Sequence, residues 1–449
     1  MATASPMTNT VGMRWLERDA QKVWHGFTQM AAFKDNNPIV VDRAEGRELI
    51  DVDGRRYFDA ISSLWLITLG HRVPELDAAV LRQLGKVSHS TLLGNSNRVV
   101  VELAEALSEV VPVDRPHFLF ACDGASAVEQ AIKIAFQYWV NSGVMERRKF
   151  LALGDAYHGD TIGGLSLGDS TFGSEVFDPL RFSALRSPGY ADPNWLDAAL
   201  EAVERHRSEL VAVIVEPLVQ AAAGVHISRI ADFARFCAEV RAAGILLIVD
   251  EVATGFGRTG RLFACDHGDV EVDLLCLGKG ITGGYLPMSA TVASDRVFRA
   301  FLGEDLSSFA FYHGHSYGGN ALAAAVALEH LRLIREPSLL EHVGEVASHL
   351  SDELAERIST HHLVRAVRQC GLFIGVELDA NVGARGARQV AGGCVRRGIL
   401  LRSLGDVIPI VPPLTTTRVE ATRVIDVLAH SLDEFAGESG VLAEVGTFK

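Results

Sequence analysis

Two kinds of apolar pattern divide the chain. Over 38–60, PIVVDRAEGRELIDVDGRRYFDA, apolar and polar residues alternate around two glycine turns, Glu45-Gly46 and Asp53-Gly54. A period of two with glycine at the reversals predicts a small antiparallel meander. Helical spacing follows around 74–86 and 97–110. From about 117 to 294 the pattern changes. Short apolar runs (HFLFACD, KFLALGDAYHG, LVAVIVEP, ILLIVDEV, DLLCLGK) are separated by amphipathic stretches such as SAVEQAIKIAFQYW and ADFARFCAEVRAAG. Runs of that kind fit a mostly parallel sheet buried on both faces by helices, so the predicted class is α/β. Each run ends in polar or glycine residues, at the strand ends where such sheets bind ligands.

Beyond Asn320 the pattern mixes helices (ALAAAVALEHLRLI, 339–359, 384–397, 416–435) with strands in LFIGVEL and ILLRSLGDVIPIV. This predicts a smaller α+β domain. The expected division is 1–73 as an N-terminal segment joining the small domain, 74–335 as the large domain and 336–449 as the C-terminal small domain. Neither an internal repeat nor a low-complexity linker interrupts it, and residues 1–20 are expected to be partly loose.

Composition narrows the function classes. At 449 residues the chain has room for one large enzyme fold or about three domains. Lys and Arg number 42 against 56 Asp and Glu, a net charge of −14, which argues against a nucleic-acid binder. The six cysteines lie far apart with no C-x-x-C, so neither a disulfide framework nor a zinc finger is expected, and reduced thiols in a cytoplasmic protein are. The opening MATASPMTNTVGMRW lacks the apolar core of a signal peptide. Apolar stretches such as 210–215 and 245–249 fall well short of the roughly 18 residues of a membrane span.

The chemistry gathers at two strand ends. ILLIVDEVATGFGRTG delivers Asp250 and Glu251 from an apolar run into a glycine-rich turn. DLLCLGKGITGG does the same with Lys279. A strand-end Asp is often only a helix cap or loop anchor, and a lone loop lysine is usually solvated. Together they meet two needs of pyridoxal phosphate: a carboxylate facing the pyridinium and a desolvated amine that condenses with the aldehyde. FACDGASAVEQAIK adds a strand, then Gly124-Ala125-Ser126 opening a helix, where backbone N–H groups bind anions. Tyr157 ends another strand and is placed to stack on the ring. A zinc site is the rival, since YHGHSYGG carries His313 and His315, and His158 stands near Asp160. No third ligand stands at convincing spacing and no H-E-x-x-H occurs, so no metal is expected.

On DEVATGFGRTG followed by LGKGITGGYLP, and on most of the chain from Trp24 to about Ala436, the sequence resembles the class III aminotransferases, pyridoxal-phosphate enzymes of fold type I. The blocks WHGFTQM, SSLW, QYW, YHGDT, LFACDH, HGHSYGGN and LRSLGD are most similar to the diaminopelargonate synthases. That resemblance implies a large domain with a mostly parallel sheet flanked by helices, plus a smaller α+β domain. It implies transfer of an amino group to 8-amino-7-oxononanoate, giving 7,8-diaminononanoate in biotin biosynthesis. The donor is lysine or S-adenosylmethionine; Phe27 favours lysine, because the S-adenosylmethionine branch generally carries tyrosine there.

The resemblance also implies residue roles. Lys279 is the Schiff-base lysine and proton shuttle, Asp250 keeps the pyridinium protonated, and Tyr157 and Val252 enclose the ring. Gly124 and Ala125 bind phosphate through their backbone, and His315 with Ser316 reaches it from the second subunit of a homodimer. Arg402 clamps the substrate carboxylate, while Phe27, Leu64, Trp65, Asp160 and Gly314 line the substrate pocket. The chain departs from the family at Cys122-Asp123 (usually Asp-Ser), Ala125, Leu64, Pro409, Gly318 and Ala321. Cys122-Asp123 and Ala125 are expected to weaken phosphate binding modestly, the others to reshape the pocket. An ω-amine or diamine transaminase and a non-catalytic cofactor-binding homologue are the alternatives.

Overall fold

The apolar runs of the middle region become one sheet. In the computed structural model, which describes residues 10–169 and 171–446, seven strands lie side by side. Their order is His117–Ala121, Ser289–Ala293, Leu274–Leu277, Leu246–Asp250, Leu210–Val215, Lys149–Leu153 and Leu185–Ser187. All pair in parallel except Ser289–Ala293, which runs antiparallel to both neighbours. Alternate residues serve opposite faces. Leu210, Val213, Val215, Leu247 and Val249 enter one apolar core, and Val211, Ala212, Ile214, Leu246 and Ile248 enter another. Burial on both faces is what makes these runs continuously apolar.

Helices cover the faces, with ends set by local chemistry. Asn97 caps Arg98–Ser108 by accepting from Val100 N–H at 3.0 Å, and Asn320 caps Ala321–Ile334 by accepting from Ala323 N–H at 3.0 Å. The predicted meander is present as Val41–Glu45, Glu48–Asp51 and Arg56–Asp59, with positive φ at Gly46 and Gly54. Its neighbour on the far side is Ile399–Leu400, paired in parallel with Arg56–Asp59. A separate core built from 58–61, 343–378, 387–401 and 408–432 lies beside it. Among the described residues no helix is long and apolar enough to cross a membrane.

Three features differ from the expectations. Residues 11–22 are not loose but form the helix Val11–Lys22, capped by Thr10; residues 1–9 lie outside the described residues. No residue of this helix is buried, although Met13, Leu16 and Ala20 share one face at i, i+3 and i+7. Strand Ser289–Ala293 is not among the expected runs, because SATVA is made of small residues, two of them hydroxylated, although every residue is buried. The last helix runs Arg418–Gly446, past the expected end at 435.

The segment after the meander is pinned by one carboxylate. Asp59 is fully buried and accepts from Ser63 N–H at 2.8 Å and Ser63 Oγ at 3.0 Å, with His71 Nε2 at 3.1 Å. These bonds hold a turn in which Ser62, Ser63 and Trp65 all have positive φ, which non-glycine residues adopt only when their surroundings enforce it. Arg258, also fully buried, donates to the carbonyls of Pro412 and Ile67 and to Ser62 Oγ, joining the same turn to the loop after Asp250. Asp59→Ala should therefore lower unfolding stability by about 1–3 kcal/mol, read as a lower urea midpoint.

Candidate active site

Five strands of the sheet deliver residues to one cavity of about 430 Å³. After Ala121 come Gly124 and Ala125; after Leu153, Tyr157, His158 and Asp160; after Val215, Glu216; at the next strand's end, Asp250; after Leu277, Lys279. The register pairs Val249 with Val215, so the following residues, Asp250 and Glu216, leave neighbouring strands side by side. Trp65 lines the cavity from the pinned turn.

Asp250 is only 5% exposed. One oxygen pairs with His158 Nδ1 at 2.8 Å and the other accepts from Val252 N–H at 3.1 Å. The His158 side chain is itself fully buried, and its Nε2 has no hydrogen-bond partner among the described residues. Glu216 accepts from Tyr157 N–H and Ala221 N–H, each at 3.1 Å. Burial raises its pKa to about 7, with Asp250 adding to the rise and His158 opposing it.

Lys279 opens a one-turn helix, Lys279–Thr282, with φ of 38°. Its Nζ lies 5.1 Å from the centroid of the Trp65 ring. Burial lowers the amine's pKa, while Asp250 and Glu216 pull it back up. Among the described residues no hydrogen bond or ion pair engages that amine. Tyr157 donates its hydroxyl to Asp160 Oδ2 at 2.8 Å, and burial raises its pKa.

At the other end of the cavity the helix Gly124–Asn141 presents its N-terminus. Asp123 caps it, accepting from Ser126 N–H at 2.8 Å and Ser126 Oγ at 2.9 Å, so one of the first-turn donors is already taken. The floor there is tight. A Cβ on Gly124 would meet Val252 Cγ1 at 2.6 Å, and one on Gly278 would meet the same atom at 3.1 Å.

These residues fit pyridoxal phosphate. An amine with no ion-pair partner is poised for its aldehyde, a deep carboxylate held by His158 suits its ring nitrogen, and a helix N-terminus suits its phosphate. Thus Lys279, Asp250, Tyr157, Val252, Gly124, Ala125, Trp65 and Asp160 line one cavity. The others do not join them within one chain. Phe27 and Leu64 are 67% and 44% exposed. Gly314 and His315 line a separate cavity of about 520 Å³ with Leu93 and Phe120, and His315 Nδ1 lies 3.7 Å from Cys122 Sγ. The Ser316 carbonyl accepts from His89 Nε2 at 2.9 Å. Arg402 is half-buried and engages no carboxylate among the described residues, so it is no surface salt bridge, and burial lowers its pKa.

Two cavity residues were not expected there. The sequence offers His158 only as a metal ligand, yet its ring nitrogen serves Asp250. Glu216 stands at the end of LVAVIV as Asp250 stands at the end of LLIV, so the strand-end rule, applied to this run as well, is the signal that finds it.

Comparison with known proteins agrees with this geometry. Residues 29–432 match the family model of class-III aminotransferases. The adenosylmethionine-8-amino-7-oxononanoate aminotransferase of Aquifex aeolicus is 40% identical over 442 residues, spanning 94% of this chain and 97% of its own. That of Staphylococcus aureus is 36% identical, spanning 93% and 96%. The crystal structure of the Methanocaldococcus jannaschii enzyme of the same name superposes with a TM-score of 0.89 at 35% identity, covering 94% of this chain and 99% of that one. An (S)-enantioselective omega-transaminase from Thermomicrobium roseum superposes with a TM-score of 0.87 at 31% identity, covering 94% and 98%.

The contact between Gly124 and Val252 gives a direct test of the cradle. Gly124→Ala should weaken pyridoxal phosphate binding about tenfold or more, since overpacking costs about 1–3 kcal/mol, and Val252→Ala in the same chain should restore part of the loss; equilibrium titration of the cofactor's absorbance measures both. With the family match running across 29–432 and the cavity furnished as that chemistry requires, the chain belongs to the class-III aminotransferases and is a pyridoxal-phosphate-dependent transaminase.

Proposed function

We propose that this transaminase aminates 8-amino-7-oxononanoate to 7,8-diaminononanoate, the biotin-pathway step, in the cytoplasm and as a homodimer. The observation that carries this reading is the shared name of relatives 36–40% identical over nearly their whole length. Their names give S-adenosylmethionine as the donor; Phe27 is the residue that favours lysine instead. A second reading, an ω-amine transaminase, draws on the likeness to the Thermomicrobium roseum enzyme.

Bound pyridoxal phosphate supplies an electron sink for the carbon that carries the amine. In this reading Lys279 Nζ removes a proton from that carbon of the donor in the first half-reaction and delivers one to the matching carbon of the acceptor in the second, and its lowered pKa raises the fraction of free base at neutral pH. Asp250, held by His158, presents its carboxylate to the ring nitrogen. Tyr157 and Val252 bound the ring, and Gly124 and Ala125 offer backbone N–H groups to the phosphate. His315 and Ser316, which do not line the cavity of their own chain, would serve that of the second copy. Trp65, Leu64, Phe27, Asp160 and Gly314 shape the substrate pocket, and Arg402 binds the substrate carboxylate in a bidentate pair.

Single half-reactions with lysine, S-adenosylmethionine, alanine, glutamate and diamines, followed by bleaching of the visible absorbance, decide the donor. Conversion of 8-amino-7-oxononanoate by the aminated enzyme is the expected second half. If simple ketones and aldehydes react and this acceptor does not, the second reading replaces the first. Arg402→Met should raise KM for the carboxylate-bearing acceptor about 10–100-fold, the worth of a charged hydrogen-bonded pair, while half-reactions with amines that lack a carboxylate stay near wild type.

A further inference from the structure

Glu216 has a place in the cavity that the roles above leave unused. It follows a strand buried on both faces and is itself only 6% exposed. Buried carboxylates are usually paired with a cation, yet no Lys or Arg forms an ion pair with it among the described residues. Its two oxygens instead tie together two loops: one accepts from Tyr157 N–H, the other from Ala221 N–H, each at 3.1 Å. Tyr190 donates its hydroxyl to the Glu216 backbone carbonyl at 2.7 Å, fixing the same residue from a third segment.

The titratable groups facing it are few. His158 and Asp250 lie beside it on the cavity floor, Lys279 comes from the next strand end, and the Tyr157 and Tyr190 hydroxyls complete the set. Asp250 and Glu216 are neighbours in the sheet register, so two carboxylates share the one imidazole of His158, which is bonded to Asp250. Like charges so placed resist ionising together.

We propose that Glu216 is a positioning residue of this active site, which clamps the loop presenting Tyr157 and whose proton governs how much negative charge the floor holds beside Asp250 and Lys279. The inference rests on the transaminase reading and extends it to a second carboxylate. Its pKa near 7 fixes the sign. Below that pH Glu216 is a neutral acid and Asp250 alone faces the cofactor. Above it the added anion favours the ammonium form of Lys279 and works against its free base.

Glu216→Gln and Glu216→Asp separate the two parts. Glutamine keeps one acceptor oxygen but cannot accept from the second N–H, and it cannot ionise. Aspartate ionises but is too short to span both loops. With the protein loaded with pyridoxal phosphate, E216Q should lose the ionisation near pH 7 from the pH profile of kcat/KM. The pH midpoint of its visible absorbance should move to lower pH, and its cofactor affinity should fall about tenfold, as for one lost hydrogen bond. E216D should keep the ionisation and lose affinity to a similar extent. A coloured E216Q with the wild-type midpoint, profile and affinity overturns the proposal alone. If neither variant folds, by circular dichroism, Glu216 is a requirement of the fold and the proposal also fails. A wild-type protein that gains no visible absorbance with pyridoxal phosphate would instead remove the transaminase reading beneath it.

Discussion

Moving a carboxylate out of water to the end of an apolar strand costs several kcal/mol unless polar partners surround it. The sheet makes that problem unavoidable, because both of its faces are filled with Val, Leu and Ile and only the carboxyl edge is left for polar chemistry. Asp250 meets it with His158 and the Val252 N–H. Everything else in the cavity is arranged around this buried anion. Among the described residues Lys279 forms no ion pair, so its amine is held between the desolvation that favours the free base and the anions that favour the charged form. A salt bridge to either carboxylate would have fixed that balance in favour of the ammonium.

The glycines around the site follow from the same crowding. Val252 follows Asp250 by two residues, and its methyl groups fill the space where Gly124 and Gly278 approach. A β-branched side chain has little freedom to turn aside, so these two positions accept no side chain without a shift. The turn that holds Trp65 obeys a comparable rule at a distance. Its three positive φ angles are stabilised by Asp59 and by Arg258, whose guanidinium loses basicity through burial, to a pKa of about 9.

Much of this was legible in the sequence, and the limits have physical causes. Strands that are apolar throughout announce themselves, and a charged residue at such a strand's end marks the functional edge; Asp250 and Lys279 were readable for that reason. Glu216 obeys the same rule but sits before Pro217, where a turn already accounts for a polar residue. His158 carries no local sign of its partner, because Asp250 reaches it only through the fold. Ser289–Ala293 is buried without being strongly apolar, so periodicity could not find it. Helix Val11–Lys22 buries nothing, and its signals are Thr10 as a cap and the short apolar face of Met13, Leu16 and Ala20, which precedes the first strand and is easily taken for a loose terminus. His315 and Gly314 stand in a glycine-rich loop whose sequence does not say which cavity it borders, and within one chain they line a different cavity from Lys279.

The parallel pairing of Arg56–Asp59 with Ile399–Leu400 has a consequence for biosynthesis. A ribosome releases residues 56–59 long before 399–400, so the edge of the 56–59 strand stays open while everything between is made. An open edge is a template for pairing with other chains, and joining such remote segments is slow because the intervening loop must close first. On that strand Arg56 is exposed while Tyr57, Phe58 and Asp59 are buried in the folded protein, so an apolar pair waits at the edge until the 399–400 segment arrives to seal it.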